Sequence, residues 1–247
     1  MDGTGRAGLR PLTARSVVLS TLLGHHPPLL PARALVRVGR LFGIAEGTVR
    51  VALSRMVAAG DLEQRDGGYA LTARLLHRQA RQDDARSPRT RPWDGDWEIA
   101  VVAPEPRPAA ERSALRQEMS VLRLAELREG TWLRPANLRR PLPPSVTGPC
   151  TLLTGRPDDD PAALAASLWD LTEWADRARA LYTALEQAPD PAGEFTAAAA
   201  ILRHLMADPL LPAGLLPADW PGDALRARYE VFHAEMRALL QEHTATP

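Results

Sequence analysis

The sequence contains no lysine and only one cysteine, Cys150, and it has no long uninterrupted run of apolar residues. A single cysteine excludes a disulfide framework or a cysteine metal site within one chain. Without a run of about 18 apolar residues, no membrane-spanning segment is expected. Residues 1–10 also lack the apolar stretch of a signal peptide. Together these absences favour a cytoplasmic protein that does not contact membranes.

Arginine supplies all 30 positively charged side chains, and their distribution is uneven. The formal net charge is zero, yet residues 1–91 carry 15 arginines against 7 acidic residues, and residues 92–247 carry 15 against 23. A basic N-terminal part on an acidic remainder suggests that the basic part meets a polyanion. The planar guanidinium suits phosphate and guanine, although the codon usage of a GC-rich genome would also replace lysine by arginine.

Residues 12–76 show the pattern of three short helices followed by a hairpin. Apolar periodicity and breaker residues predict helices at 13–23, 31–42 and 45–59, the last ending at Gly60. The second and third helices are separated only by a short turn that contains Gly43. Such a turn is typical of a helix-turn-helix, whose second helix enters the major groove of DNA.

The third predicted helix has one apolar face and one face of small and polar residues. At about 100° per residue, its apolar residues cluster on one side, and the opposite side is flanked by two arginines. Small side chains between arginines fit a groove about 12 Å wide, in which arginine forks onto guanine or grips phosphate and valine touches a thymine methyl. The candidate DNA contacts in this helix are Glu46, Thr48, Arg50, Val51, Ser54 and Arg55.

Two short alternating segments, 62–65 and 69–72, flank an Asp-Gly-Gly sequence, which is a strong hairpin signal. A hairpin after a recognition helix is a wing, and Arg65 near its tip would lie against the DNA backbone or the minor groove. The sequence therefore predicts an N-terminal winged helix-turn-helix. The same module serves protein contacts in other settings, so a protein-interaction module or a regulator that responds to no ligand stays open as the alternative.

The rest of the chain predicts a small α+β domain followed by helices. A strand at 97–102, a helix at 109–122, two strands within 123–133 and a strand at 150–154 follow the order of a ferredoxin-like domain. Three prolines argue against a long helix between 137 and 147. An apolar stripe from Leu164 to Leu185 predicts one long helix that packs in a core or against a second copy. Two more helices are expected at 194–206 and 223–242.

Three segments resemble one known family. Residues 41–55 (LFGIAEGTVRVALSR), residues 93–97 (WDGDW) and the pair 208–212 (DPLLP) and 215–222 (LLPADWPG) are similar, in that order, to the signatures of the PaaX family, the phenylacetic acid catabolon repressors. The resemblance implies a dimeric repressor with a winged helix, a Cas2-like ferredoxin-fold middle domain and a helical C-terminal domain. It also implies release from operator DNA by an aryl-CoA thioester, phenylacetyl-CoA in the best-known case.

One segment departs from the family pattern. Many members have a longer, more aromatic and basic stretch before the Asp-Pro signature, whereas residues 201–207 contain only one arginine, Arg203. The effector of this chain can therefore differ from that of the family. Arg203 and Trp220 are the candidate effector-binding residues.

A Cas2-like middle domain also raises the possibility of a metal-dependent nuclease. Asp94 and Asp96 are candidates by position, and residues 158–160 form an acidic run that better fits the start of a helix. No zincin, nucleophile-elbow or phosphate-loop motif is present. We therefore expect no enzymatic activity, no metal and no cofactor.

These observations predict a division into four parts. Residues 1–78 form a winged-helix DNA-binding domain, 79–92 a linker, 93–157 a ferredoxin-like (Cas2-like) central domain, and 158–247 a helical C-terminal domain for effector binding and dimerisation. The expected partners are double-stranded operator DNA, an acyl-CoA effector and a second copy of the chain.

Overall fold

The computed structural model describes residues 12–244, which form two compact units. Unit 1 contains the described residues up to Arg86, residues 177–206 and the described residues from Pro221 onward. Unit 2 contains residues 87–176 and 207–220. The segment predicted as one C-terminal domain, residues 158–247, thus contributes to both units.

Unit 1 begins with three helices and a three-stranded antiparallel sheet of order β1-β3-β2. Thr13 starts the first helix with a reciprocal cap, in which its hydroxyl accepts the Ser16 N–H and the Ser16 hydroxyl accepts the Thr13 N–H. The three helices and the hairpin lie close to their predicted bounds, whereas β1 was not predicted. The elements are α1 (Ala14–Leu23), β1 (Leu29–Leu30), α2 (Ala32–Leu41), α3 (Glu46–Ala58), β2 (Leu62–Arg65), β3 (Gly68–Leu71) and α4 (Ala73–Arg86).

The turns of this part depend on residues with positive φ. Gly43 (φ 68°) joins α2 to α3, and Gly60 (φ 70°) follows α3. Between β2 and β3, Asp66 (φ 48°) and Gly67 (φ 74°) both lie in the left-handed region. Two such residues define the tight hairpin turn whose twist matches that of the flanking strands.

The core of this part lies between α1, α2, α3 and the sheet. Gly39 in α2 permits a close approach to α3, because a Cβ atom there would lie 2.5 Å from Cγ2 of Val49. The buried core residues are Val18, Leu22, Leu23, Leu30, Ala34, Leu35, Val36, Val49, Leu53, Met56, Leu62, Leu71 and Leu75.

Unit 1 also contains the second half of α8 (Leu171–Glu186) and two later helices, α9 (Pro191–Met206) and α10 (Gly222–Thr244). Both α9 and α10 pack on the N-terminal part. Arg86 of α4 donates two hydrogen bonds to Glu230 of α10, Nε to Oε1 at 2.7 Å and Nη2 to Oε2 at 2.8 Å. Phe195 of α9 packs on Phe42 with ring centroids 4.8 Å apart. These contacts join α10 to α4 and α9 to the turn after α2.

Unit 2 contains a four-stranded, fully antiparallel sheet of order β5-β6-β4-β7. One core cluster includes Ala100, Met119 and Val146, and another includes Trp97 and Leu164. The elements are β4 (Trp97–Val102), α5 (Ala109–Val121), β5 (Ala125–Arg128), β6 (Thr131–Pro135), α6 (Pro144–Thr147), β7 (Cys150–Gly155), α7 (Pro161–Leu168) and a short 3-10 helix (Ala213–Leu215).

The prediction of one long helix from Leu164 to Leu185 is wrong, because the structure has two helices there, α7 and α8. Trp169 is extended (φ −131°, ψ 132°) and ends α7. The carboxylate of Asp170 then accepts the Glu173 N–H at 2.8 Å, a capping bond that starts a new helix. The apolar spacing continues across this break, so periodicity alone conceals it.

Arg134 of β6 holds the proline-rich loop of unit 2. Its side chain is fully buried and donates to the carbonyls of Pro135 (3.0 Å), Pro209 (3.3 Å) and Leu210 (3.2 Å). It also donates to Oδ1 of Asn137 at 2.7 Å, and the Asn137 amide donates to the Leu210 carbonyl at 2.9 Å. Burial is the main cause that lowers the pKa of Arg134 to about 9. The buried side chains of Arg134 and Asn137 therefore fix the loop at 208–210 by donating hydrogen bonds to its backbone carbonyls.

Candidate nucleic-acid interface

The outward face of α3 is built from small side chains and is open to solvent. Gly47, Thr48, Ser54 and Arg55 are exposed, and Val51 is 51% exposed although it is apolar. The opposite residues, Val49, Leu53 and Met56, are at most 1% exposed. Because the buried face fixes the rotation of the helix, the residues predicted to meet DNA lie together on its exposed side.

Glu46 at the start of α3 is held by two arginines. Nε of Arg50 donates to Oε1 at 2.8 Å, and Nη2 of Arg40 in α2 donates to Oε2 at 2.7 Å. The hydrogen bond and the charge of Arg50 are the main causes that lower the pKa of Glu46. The carboxylate thus stays ionised and positions both guanidinium groups, which remain largely exposed. Glu46 is among the predicted base contacts, but in this structure it binds arginines.

Arg55 borders an open depression of about 640 Å³ between α3 and the start of α1. Thr13, Arg15, Thr48 and Val51 also line it. Within the described chain, the Arg55 side chain has no hydrogen bond or ion pair. Its guanidinium group is therefore available to a phosphate or a base.

Four arginines near the end of α3 were missed by the sequence analysis. The carboxylate of Asp61, which is only 3% exposed, pairs with both Arg15 of α1 and Arg74 of α4. Burial first, and then the positive charges of Arg81, Arg74 and Arg15, lower the pKa of Arg78. These arginines therefore lie close enough to form one strongly positive surface. The spacing of residues 74, 78 and 81 on one helical face could have revealed it.

Arg65 lies at the end of β2, beside the hairpin turn. Its side chain is 62% exposed, and Nη2 donates to Oε1 of Glu63 at 2.6 Å. A phosphate would have to compete with this neighbouring carboxylate for the Arg65 guanidinium group.

The two candidate effector-binding residues belong to different units. Arg203 is exposed on α9 in unit 1, and Trp220 lies in unit 2 and stacks on Trp174 with ring centroids 4.5 Å apart. Their role in effector binding stays a prediction.

The acidic residues considered for a nuclease site have other bonds. Asp96 accepts a hydrogen bond from Nε of Arg156 at 2.6 Å, and Asp94 accepts the Asp96 N–H at 3.3 Å. Asp160 caps α7 by accepting the Ala163 N–H at 2.8 Å, as the sequence predicts for a helix start. Within residues 12–244, no group of three or more His, Cys, Asp or Glu is placed to hold a metal ion. In the same range, no helix is long and apolar enough to span a membrane.

Comparison with known proteins agrees with this arrangement. Residues 13–75 match the family model described as PaaX-like protein, residues 90–144 the PaaX protein central Cas2-like domain, and residues 164–246 the PaaX-like protein C-terminal domain. A comparison with curated protein sequences finds no match.

Among solved structures, an uncharacterized protein from Mycobacterium tuberculosis is 49% identical, with a TM-score of 0.81. The alignment covers 95% of this chain and 99% of that protein. The mixed helix and sheet architecture is therefore shared along nearly the whole length. Since three family models match in order, this chain belongs to the PaaX family, whose domains are those of transcription regulators.

Proposed function

We propose that this protein is a DNA-binding transcriptional repressor that inserts α3 into the major groove. In this proposal, α1–α3 and the β2–β3 hairpin form a winged helix-turn-helix. The observation that carries it is the exposed face of α3, on which Val51 and Arg55 lie beside the positive surface of α1 and α4. Arg55 has no side-chain partner among residues 12–244. The half-exposed Val51 side chain is stabilised when it leaves water, and a major groove offers it a thymine methyl group and offers phosphates to the neighbouring arginines.

The contacts divide into base and backbone contacts. We infer that Thr48, Val51 and Ser54 face base edges, because their side chains are short and lie on the exposed face of α3. Arg55 and the arginines around Asp61 would hold phosphates. Arg50, fixed by Glu46, would contact a base or a phosphate at the start of α3, and Arg65 would contact the backbone from the wing.

We further infer that unit 2 contains a ferredoxin-like, Cas2-like domain. The chain order of β4, α5, β5, β6, α6 and β7 and the antiparallel sheet order β5-β6-β4-β7 support this. The second crossover contains only the four-residue α6, as the prolines in the sequence predict.

A homodimer is part of the proposal, and the free edge of β7 supports it. The Ala103 N–H donates to the Pro149 carbonyl at 2.9 Å, so alternate pairing turns the N–H and C=O groups of Cys150, Leu152 and Thr154 away from β4. The strand has no charged residue or proline, and Leu152 is 41% exposed. An unprotected edge of this kind pairs readily with another strand. In the proposed dimer, each copy would place its α3 in one of two operator half-sites about one DNA turn apart.

The proposed effector is an aryl-CoA thioester such as phenylacetyl-CoA. The family suggests this class of effector. Because residues 201–207 depart from the family pattern, the acyl group of the effector can differ from phenylacetyl. The effector would act by binding preferentially to a form that does not fit the operator, which shifts the population away from DNA.

The test is binding to the DNA upstream of the protein's own coding sequence at two salt concentrations, with and without phenylacetyl-CoA. Arg55→Ala should weaken binding by about tenfold or more and reduce the slope of log affinity against log salt by about one. The matched control is Arg128→Ala, since Arg128 is exposed on β5 and its side chain has no hydrogen bond or ion pair within the described residues.

Four results would count against parts of the proposal in different ways. Equal loss in both variants would indicate nonspecific electrostatics, and absence of specific binding by the folded protein would favour the protein-interaction role. Binding that the thioester leaves unchanged would retain the DNA-binding regulator and reject this effector. Cleavage of DNA with Mg²⁺ or Mn²⁺ would instead support the nuclease alternative.

A further inference from the structure

Unit 1 contains a cavity of about 80 Å³ enclosed by α1, α4, α9 and α10. Its walls are largely apolar and include Leu23, Phe195, Ala198 and Phe232, each at most 7% exposed. Since one water needs roughly 10–15 Å³ of such space, the enclosed part holds about six groups of water size. This volume suits a small molecule or the end of a larger one.

Two largely buried polar side chains line the cavity, Gln82 of α4 and Tyr229 of α10, each 6% exposed. Within residues 12–244, no hydrogen bond involves the Gln82 amide or the Tyr229 hydroxyl. These polar atoms are not fully enclosed by protein, so they reach the accessible space of the cavity. Burial raises the pKa of Tyr229, so the phenol keeps its proton and can donate it. A ligand in the cavity can therefore take the hydrogen bonds that water would otherwise make to these two groups.

The neighbouring glutamine shows what a satisfied side chain looks like here. Gln79, one turn earlier in α4 and 5% exposed, donates to the carbonyls of Leu22, Leu23 and His25 at 2.9–3.3 Å. Gln79 therefore closes the end of α1. Gln82 lines the cavity and, among the described residues, bonds no backbone carbonyl in this way.

The charged groups at the cavity are mostly neutralised by the protein itself. Both carboxylate oxygens of Glu230 accept hydrogen bonds from Arg86, and Nη2 of Arg86 also donates to Nδ1 of His233 at 2.9 Å. Since a guanidinium group only donates, the neutral ring of His233 carries its proton on Nε2. Asp83 pairs with His26 at 3.1 Å, and Arg237 is exposed to solvent. The enclosed space thus offers neutral hydrogen-bonding groups, and the exposed Arg237 permits an acidic extension outside.

We propose that this cavity is a binding site for a small neutral apolar group that carries one amide or carbonyl function. The apolar part would contact Phe195 and Phe232, and the polar function would bond Gln82 and Tyr229. Neither Arg203 nor Trp220 lines it. As a regulatory site it rests on the function proposed above, because α1 contributes Leu23 to the cavity and to the core that supports α3. Ligand binding itself does not depend on DNA.

The direct test uses isobutyramide, which has six non-hydrogen atoms, and isobutyrate as its charged counterpart. Ligand-observed NMR on the full chain without DNA should show binding of the amide and at least tenfold weaker binding of the anion. Tyr229→Phe and Gln82→Leu should each weaken isobutyramide binding by roughly 3- to 10-fold, the effect of one neutral hydrogen bond.

A cavity-filling pair of variants provides the decisive control. Ala199→Leu adds bulk to the cavity lining on α9 and should abolish binding, whereas Ala234→Leu adds the same bulk to an exposed position of α10 and should leave it unchanged. Circular dichroism verifies that each variant is folded. The site is refuted if folded wild type does not bind isobutyramide, if isobutyrate binds equally well, or if Ala199→Leu binds like wild type. If a variant without ligand loses operator binding, that result tests the proposed repressor function and does not test this ligand site.

Discussion

Two glycines on adjacent helices should respond oppositely to the same substitution. Gly39 lies inside α2, and a Cβ atom there would be 2.5 Å from Cγ2 of Val49 in α3. Gly47 lies in α3, and a Cβ atom there meets no atom within 4 Å. Both glycines have negative φ, so alanine fits the backbone at either position.

The magnitudes follow from two effects of opposite sign. Replacing a helical glycine by alanine stabilises by about 0.4–1 kcal/mol, because the unfolded chain loses freedom. Forcing one methyl group into a packed core costs about 1–3 kcal/mol. Val49 is a stiff, fully buried side chain and yields little. We therefore expect Gly39→Ala to lower the free energy of unfolding by about 1–2 kcal/mol and Gly47→Ala to raise it by about 0.5 kcal/mol.

Thermal unfolding followed by circular dichroism measures both variants, and each kcal/mol should move the melting temperature by about 2–4 °C for a chain of this length. The change at Gly39 should also move α3 relative to α2, so operator affinity should fall with it. If Gly39→Ala is as stable as Gly47→Ala, the close contact of α2 with α3 is not tight and the reasoning fails.

Three further predictions concern other parts of the chain. Arg134→Met should lower the stability of unit 2 by about 1–3 kcal/mol, because the Pro209 carbonyl and Oδ1 of Asn137 lose a buried donor; an unchanged urea midpoint would contradict this. Burial lowers the pKa of His233 to about 4, below its unfolded value, so the unfolded state takes up the proton first and stability should fall as pH drops from 6.5 to 4. His233→Gln should remove about 1 kcal/mol of that pH dependence, after allowance for solvent screening, and an identical profile would refute the assignment. Leu152→Arg should shift a dimer to monomer in analytical ultracentrifugation, whereas Leu76→Arg, at a site also 41% exposed, should not.

Local signals in the sequence predict most of the N-terminal fold. The cap at Thr13, the turn at Gly43 and the hairpin at Asp66–Gly67 each depend on a few neighbouring residues, so their chemistry is readable without a partner. The two-residue strand β1 was not predictable, because it exists only through its pairing with β3. The break at Trp169 was also missed, since the apolar spacing of three and four continues through it.

The candidate interface was only partly predictable for the same reason. The orientation of Val51 and Ser54 follows from 100° per residue and the buried face of α3. The bond from Glu46 to Arg50 is a favourable pair at i and i+4, but the second bond, to Arg40, depends on how α2 approaches α3. The cavity near Gln82 combines side chains from four helices, which no local pattern connects.

The hydrogen bonds between Arg86 and Glu230 join residues 144 positions apart, which affects how the protein is made. At a ribosomal speed of about 5–20 residues per second, α10 follows α4 by roughly 7–30 seconds. During that interval the surfaces of α1, α2 and α4 that α10 later covers are exposed on the nascent chain. Contacts of such long sequence separation also slow folding. The nascent helix-turn-helix therefore acquires its full set of supporting contacts only near the end of synthesis, so a prematurely terminated chain should compete poorly for the operator.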